Sequence, residues 1–369
     1  MTAISAETPA AATAPVPSLD HYGPRPSKST VRGVVLGVMA VMAIVSLTFA
    51  LKTVDYRRAR DPRLPQATQP DAVIQALPPA EWPALGWLPP DTGVVLGLHV
   101  AAAQQGPVSG EVLRKLRVGA NPVGAAELEN WTGLQFEEID HAALGFKVEQ
   151  RLIPPFVLVV QTRRPFDLAK VRSTLKAERS SEVGKKTVYH FTPRGSKLSF
   201  DVMLWPAAAN TLIVCMTRAD LESIPAAPRA GADHLPTTLQ SLLKERVDAG
   251  AQFWLVGHVA QWDSLGTLLS TFLTKDALLT LAKVRSFAFS VQIDPGAKLR
   301  GAVAASDAAA LDQLAQQWAE LKLPEGNVPK EFAPVFQELS ASYRCEVRDG
   351  WLTLDAQVKP ETIKQAVQK

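Results

Sequence analysis

The strongest pattern in the chain is an uninterrupted apolar run near its N-terminus, from Gly33 to Leu51. The run contains no charged residue and no proline, and Arg32 and Lys52 flank it. A helix rises about 1.5 Å per residue, so a run of this length approaches the roughly 30 Å hydrocarbon core of a bilayer. The pattern predicts a transmembrane helix over residues 31–52, with the lipid bilayer as its partner.

The segments on either side of this run have little apolar content. Residues 1–30 are rich in Ala, Ser, Thr and Pro, which predicts a disordered tail. Residues 53–85 are rich in proline, which predicts a stiff, extended linker. We therefore divide the remainder of the chain into two globular parts, residues 86–230 and residues 235–369.

Beyond the linker, apolar positions recur with the periods of strands and helices. The clearest helix is Ala308–Leu321, and the clearest hairpin joins Leu339–Val347 to Trp351–Val358 through the turn signal Asp349-Gly350. Further strands are predicted at Val94–Val100, Ala142–Glu149, Phe156–Thr162, Thr187–Thr192, Leu198–Leu204, Thr211–Met216, Gln252–Ala260, Ser286–Ile293 and Leu299–Ala305. Further helices are predicted at Val108–Val118, Phe166–Glu178, Arg218–Ser223, Thr237–Val247 and Ser264–Lys283, with a last one beginning at Pro360.

The two globular parts repeat the same order of elements. Gly93–Val100 aligns with Gln252–Val259, and each part then follows the order β-α-β-β-α-β with one extra strand. This order is the ferredoxin-like pattern. The predicted fold class is therefore α+β, with a transmembrane helix, a linker and two tandem ferredoxin-like repeats packed together. Val94–Val100 is apolar on both faces, so the repeats either pack face to face or share one sheet.

The charge distribution argues against nucleic acid as a partner. It does not by itself decide on which side of the membrane the domain lies. The net charge is +3, and the first 63 residues hold eight Lys and Arg against four acids, so the rest is nearly neutral. A neutral domain has no electrostatic footprint for nucleic acid. The arginine-rich flank after Lys52 favours a cytoplasmic domain, whereas the layout of one N-terminal span before a long domain favours export. We expect an inner-membrane, single-pass protein of bacteria with an extracytoplasmic C-terminal domain.

Gly33 and Gly37 form a GxxxG pattern in the span, which allows two helices to pair closely in a homodimer. The same pattern is common by chance in spans rich in glycine and alanine.

Two groups of residues are candidates for chemistry. His99 and His258 occupy matching places in the two repeats, so they are ligand candidates if the repeats bring them together. Glu137, Glu138, Asp140 and His141 form a compact acidic group that is a candidate for a divalent cation, although such runs are usually solvated loops. No catalytic residue and no cofactor-binding residue is predicted, because nucleophile, zinc and phosphate-loop motifs are all absent.

Leu88-Pro89-Pro90-Asp91-Thr92 resembles a start found in uncharacterised single-pass membrane proteins of bacteria, where Leu-Pro-x-Asp-Thr opens an α/β repeat behind an anchor. The resemblance covers that motif and the layout, and it carries no function.

The leading hypothesis is a membrane-anchored, non-enzymatic protein of the bacterial envelope that binds a protein partner or a ligand and requires no cofactor. The alternative is an enzyme whose site lies between the repeats, at His99 and His258 or at the Glu137–His141 group.

Overall fold

The computed structural model describes residues 77–110, 125–147, 156–193, 202–260, 282–319 and 333–368. The predicted span, with Gly33, Gly37 and Leu51, lies outside these residues, as does most of the predicted linker. Among the described residues, none of the helices is long and apolar enough to cross a bilayer.

Twelve strands form one antiparallel sheet in the order β11-β12-β10-β9-β8-β1-β2-β3-β7-β6-β5-β4. The strands are β1 Val94–Leu98, β2 Ile139–Phe146, β3 Phe156–Thr162, β4 Arg179–Val183, β5 Lys186–Phe191, β6 Val202–Ala208, β7 Thr211–Cys215, β8 Phe253–His258, β9 Val284–Ile293, β10 Ala297–Ala305, β11 Arg344–Arg348 and β12 Trp351–Val358. The fold is thus α+β, built on a single large sheet.

Eight α-helices are described: α1 Val100–Gln105, α2 Ala125–Thr132, α3 Leu168–Leu175, α4 Arg218–Ser223, α5 Thr237–Glu245, α6 Ala308–Ala319, α7 Ala333–Ser342 and α8 Pro360–Gln368. Short 3-10 helices lie at Pro79–Glu81, Pro83–Trp87 and Phe136–Glu138. The sequence correctly predicts most of these elements. It misses β4, α1 and α2, and it assigns residues 339–342, the last turn of α7, to a strand.

The two halves of the sheet meet where β1 pairs with β8. Outward from this pair, the order is β1, β2, β3, β7, β6 on one side and β8, β9, β10, β12, β11 on the other. The first side continues with the hairpin of β5 and β4. The apolar character of β1 on both faces is explained, because a central strand is covered on both sides.

The ferredoxin-like interpretation of the two repeats is not confirmed. A split βαβ unit needs a helical crossover between parallel strands. All strand pairs of this sheet are antiparallel. Hairpins and meanders therefore make the neighbouring pairs, and helices such as α3 and α6 cover a face without joining parallel neighbours.

One face of the sheet is covered by helices α1, α2, α3 and α6, whose apolar residues include Val171, Leu175, Leu311, Leu314 and Trp318. The other face, over β1, β2, β3 and β8, is covered by α4, α5 and residues 78–88. We call residues 78–88 the strap, and we call the face that it covers the strap face.

The strap belongs to the folded domain, although most of it falls within the predicted linker 53–85. Trp82, Leu85 and Leu88 are almost fully buried. Segment 229–234 holds the strap through backbone bonds from Arg229 N to Gly86 O (3.0 Å) and from Ala232 N to Ala80 O (2.9 Å). Proline removes backbone donors but leaves carbonyls free to accept such bonds, so a proline-rich segment can pack without entering a ladder.

Candidate functional site

A row of buried polar side chains crosses the strap face at one end of four adjacent strands. His99 follows β1, and His141, Gln161 and Thr211 stand at successive positions of the ladders β2–β3 and β3–β7. All four are at most 6% exposed. Gln161 Nε2 donates to Thr211 Oγ1 at 3.0 Å. Directly opposed residues of antiparallel strands share a face, so the register alone aligns this row.

A β-bulge creates the contact between Asp140 and His141. The register of β2 against β3 shifts between Ile139 and His141, so Asp140 is the extra residue of the strand. Neighbouring residues in a regular strand point to opposite faces, but here Asp140 Oδ2 lies 2.6 Å from His141 Nδ1. A carboxylate oxygen accepts, so in this bond the Nδ1–H of His141 donates to Asp140.

Trp82 of the strap covers the two histidines on the strap face of the sheet. Its ring centroid lies 4.9 Å from that of His141, 5.4 Å from that of His99 and 5.2 Å from that of Trp254. The two histidine rings are 6.1 Å apart. Among the described residues, His141 Nε2 is buried without a hydrogen-bond partner. The site is therefore an aromatic and imidazole cluster sealed from solvent, not an open cleft.

Gly97 makes room for this cluster. A Cβ atom at Gly97 would lie 2.1 Å from the ring of Trp254, which fits against the bare backbone of β1. Because Trp254 fills that space, Trp82 packs against it with its ring tilted by 59° and reaches the two histidines.

Arg163 supplies a fixed positive charge at the rim of the cluster. Its Nη2 donates to Gln104 Oε1 at 2.5 Å, and its backbone N–H donates to Glu138 O at 3.0 Å. Gln104 Nε2 donates in turn to Phe136 O at 3.1 Å. These bonds join α1, the start of β2 and the end of β3 around the site.

Burial and neighbouring charges shift two of the titratable groups. Burial lowers the pKa of His99; the Asp140 carboxylate opposes this shift, and His141 and Arg163 add to it. Burial acts to raise the pKa of Asp140. The hydrogen bond from His141 and the charges of His141, His99 and Arg163 outweigh burial, and the net pKa is lowered. The cluster thus favours a neutral His99 beside an ionised Asp140.

His99 and His258 do not meet. In the β1–β8 ladder, Leu98 lies opposite Phe253 and Val94 opposite Gly257, so the two histidines stand at opposite ends of the paired strands. The two histidines are six residues apart along the ladder, so at about 3.4 Å per residue their backbones are roughly 20 Å apart. His258 is exposed, and its Nδ1 lies 2.8 Å from Ser286 Oγ. Antiparallel pairing of matching strands necessarily separates matching residues at their ends.

The acidic group proposed for a cation is divided among other partners. Glu138 accepts from the Gln135 backbone N–H at 2.7 Å, and its other oxygen lies 3.2 Å from Lys170 Nζ. Glu137 is exposed, and Asp140 is bonded to His141. Within the described ranges, no group of three or more His, Cys, Asp or Glu could hold a metal ion.

A groove of about 740 Å³ lies beside the strap, between residues 78–83, segment 228–233 and the end of α5. Its lining is mostly proline, alanine and other small or apolar residues. Lys244 and Asp233 at its rim lie 3.9 Å apart. The groove could accept an apolar group, but its lining residues do not form a set of side chains that could act together in catalysis.

Sequence reasoning noticed His99, His141 and Asp140 but not their association. It did not identify Arg163 or the packing of Trp82 on the domain. The only indication of that packing in the sequence was the occurrence of two tryptophans, Trp82 and Trp87, among the prolines of the predicted linker. That composition is compatible with docking on the domain or on a membrane surface.

No family model matches the chain, and no curated protein matches it. Two crystal forms of TP0453 are similar in structure. Form I is 12% identical with a TM-score of 0.39, and the match covers 77% of this chain and 97% of that one. Form III is 14% identical with a TM-score of 0.41, and the match covers 78% and 98%. Similarity at this level carries no conclusion about function.

We expect Trp82→Ala to destabilise the domain by about 3–5 kcal/mol, because it removes a buried ring that contacts His99, His141 and Trp254. Denaturant unfolding of the full-length protein in detergent, followed by circular dichroism, measures the change. Leu77→Ala is the control: Leu77 lies at the end of the same segment but is 46% exposed, so its effect is expected to be small. Equal effects of the two substitutions contradict the proposed role of the strap.

We expect the domain to lose stability as the pH falls below about 6.5. His99 has a folded-state pKa below its ordinary value of 6.5, so the unfolded chain binds more protons just below that pH. This contribution is complete above pH 6.5 and declines from there to the folded-state pKa. Asp140, whose pKa is also lowered, adds a further loss at more acidic pH.

The unfolding midpoint measured between pH 5 and pH 7.5 tests this expectation. His99→Gln should flatten the profile near pH 6, whereas the exposed His258→Gln should leave its shape unchanged. An unaltered profile in His99→Gln would show that another group governs the acid sensitivity.

Proposed function

We propose that this chain is a membrane-anchored, non-enzymatic interaction protein of the bacterial envelope. Its domain, formed by two diverged copies of one α+β unit, would present a sheet surface to a protein partner. The observation that carries the proposal is the part of the strap face over β10, β12 and β11, which the described helices leave open.

We call this part of the strap face, over β10, β12 and β11, the open face. It lies on the same side of the sheet as the buried surface under the strap, but its side chains are polar. Across the ladders, Lys298 pairs with Gln357, Arg300 with Asp355 and Thr353 with Glu346. Arg344, Glu346 and Gln357 are exposed. A half-solvated antiparallel sheet is stable in water, so the polar side chains need no cover to be satisfied.

Ion pairs and an aromatic contact order this surface. Arg300 Nη1 lies 2.5 Å from Asp248 Oδ1, and its Nε lies 3.3 Å from Asp355 Oδ1. Arg246 lies over the ring of Trp351 at 4.8 Å, where α5 ends. A rigid strand scaffold with mixed charges suits recognition of a complementary protein surface better than binding of a small molecule.

The strap supports the role of the anchor in this proposal. Leu77, at which the described residues begin, accepts a hydrogen bond at its carbonyl oxygen from Trp82 Nε1 at 3.0 Å. In this proposal, the membrane span predicted upstream precedes a segment that packs on the centre of the sheet. The proposed location is the inner membrane, with the domain outside the cytoplasm.

The alternative is an enzyme, and one observation favours it: the Asp140–His141 hydrogen bond resembles a base held by an orienting carboxylate. Such a role requires Trp82 to move away, because both histidines are only 4% exposed beneath it. The described residues place no nucleophile or metal ligand set beside them.

We expect protease added to intact spheroplasts to degrade the C-terminal domain without lysis. The reason is that a long domain after a single N-terminal span is translocated largely regardless of the flanking charge. The C-terminal fragment is followed by immunoblot, with a known cytoplasmic protein as the control for intact cells. Protection until lysis would place the domain in the cytoplasm and contradict the proposed location.

We expect a photo-reactive amino acid at Gln357 to give a discrete protein adduct in living cells. Gln357 is exposed on the open face, so a partner seated there comes within reach of the probe. The matched control is Ser173 on α3, which is exposed on the opposite side of the sheet. Adducts identified by mass spectrometry at Gln357 but not at Ser173 support the proposal. No adduct at Gln357, or the same adducts at both positions, contradicts it.

A further inference from the structure

Among the described residues, the sheet ends in two strands, β11 and β4, and each has one row of backbone groups with no neighbouring strand. Such edges can add a strand from another chain unless charges or shape prevent it. The two edges of this sheet differ in whether they can pair with a second copy of themselves.

The turn of the last hairpin decides which backbone groups of β11 point outward. Asp349 and Gly350 both have positive φ values, 51° and 75°, and Arg348 lies opposite Trp351. In a two-residue hairpin these flanking residues exchange hydrogen bonds, and every second pair does the same. The backbones of Arg344, Glu346 and Arg348 therefore face β12, and those of Cys345 and Val347 face outward.

The side chains of β11 alternate in the same way. Arg344, Glu346 and Arg348 are exposed on the open face. Val347 lies on the opposite face and is 44% exposed, one of two large apolar side chains exposed among the described residues. Tyr343 and Cys345 are half-buried on that side, next to the cluster that α6 covers. The edge thus combines a charged row with an apolar row.

We propose that β11 pairs with β11 of a second copy of this chain, antiparallel and centred on Cys345. In this register Arg344 faces Glu346 of the second copy, and Tyr343 faces Val347, each contact occurring twice. The two Arg–Glu pairs lie on the open face, the apolar pairs lie on the other, and Cys345 meets its own counterpart at the two-fold axis. Opposite charges and apolar residues placed directly across a ladder stabilise it.

Other registers of β11 are less favourable. Centring the pair on Glu346 sets that residue against itself and Arg344 against Arg348. Centring it on Val347 brings Glu346 opposite Arg348, but it draws the turn residues Asp349 and Gly350 into the ladder. Like charges directly opposite are destabilising, and turn residues with positive φ do not continue a strand.

The other edge, β4, offers no matching arrangement. Val183 lies opposite Lys186 across a two-residue loop, so Ser180 and Glu182 face outward. A pair centred on Ser180 sets Glu182 against Glu178, and one centred on Glu182 sets that residue against itself. A pair centred on Ser181 leaves Arg179 opposite Val183. Self-association through β4 therefore has no complementary charge.

The resulting dimer would join two sheets edge to edge. Five residue pairs bury less than the roughly 1,200 Å² typical of stable complexes, so we expect a reversible association. Confinement to a membrane raises the effective concentration of the two edges. This dimer is separate from pairing through Gly33 and Gly37 and leaves the centre of the open face free for a partner.

Oxidation with copper phenanthroline of the full-length protein in detergent tests the register directly. Residues of a hydrogen-bonded antiparallel pair have Cα atoms about 5.5 Å apart, within the range that a disulfide spans. We expect a covalent dimer that disappears in Cys345→Ala. Cys215 is fully buried, so it does not offer a competing bridge.

Charge exchange distinguishes specific pairing from chance collision. Glu346→Arg should reduce the crosslinked fraction at least tenfold, and the double variant Arg344→Glu with Glu346→Arg should restore it, because each pair is then reversed. Both positions are exposed, and unchanged circular dichroism checks the fold. No dimer at Cys345, full crosslinking in Glu346→Arg, or no recovery in the double variant would overturn the proposal. So would a dimer by sedimentation that never crosslinks at Cys345, since another surface would then join the copies.

Discussion

The antiparallel pairing of β1 with β8 is the constraint on which the rest of the structure depends. It joins the two sides of the strand order into one sheet, which obliges both central strands to be apolar on both faces. It also determines which side chains come together. His99 lies beside His141 of the neighbouring strand, and His258 is carried to the far end of the pair.

The strap is the second organising feature, because the central strands need cover on the face opposite α1, α2, α3 and α6. Trp82 packs there against Trp254, which itself occupies the space left by Gly97. A buried carboxylate is tolerated only when it is paired and hydrogen-bonded. The hydrogen bond from His141 to Asp140 supplies that partner. Trp82 covers both histidine rings, each of which is 4% exposed.

Away from the centre, the sheet becomes progressively more polar and less covered. β12 and β11 carry charged residues on one face and apolar residues on the other, and within the described part of the chain β11 is the last strand at this end of the sheet. Binding surfaces are thus expected at this end of the sheet, where backbone and side-chain groups are accessible without disturbing the core. Near Trp82, by contrast, the polar side chains are buried.

The sequence by itself determined the α+β class, most strand and helix positions, the turn at Asp349-Gly350 and the half-solvated character of the last hairpin. These features follow from local periodicity and turn chemistry, which are properties of neighbouring residues. Tertiary structure alone decided the antiparallel order of the strands, and the ferredoxin-like interpretation is not confirmed for that reason. It also decided the packing of the strap and the association of His99 with His141. Register, bulges and packing between distant segments depend on which surfaces meet, and the period of the residues does not specify that.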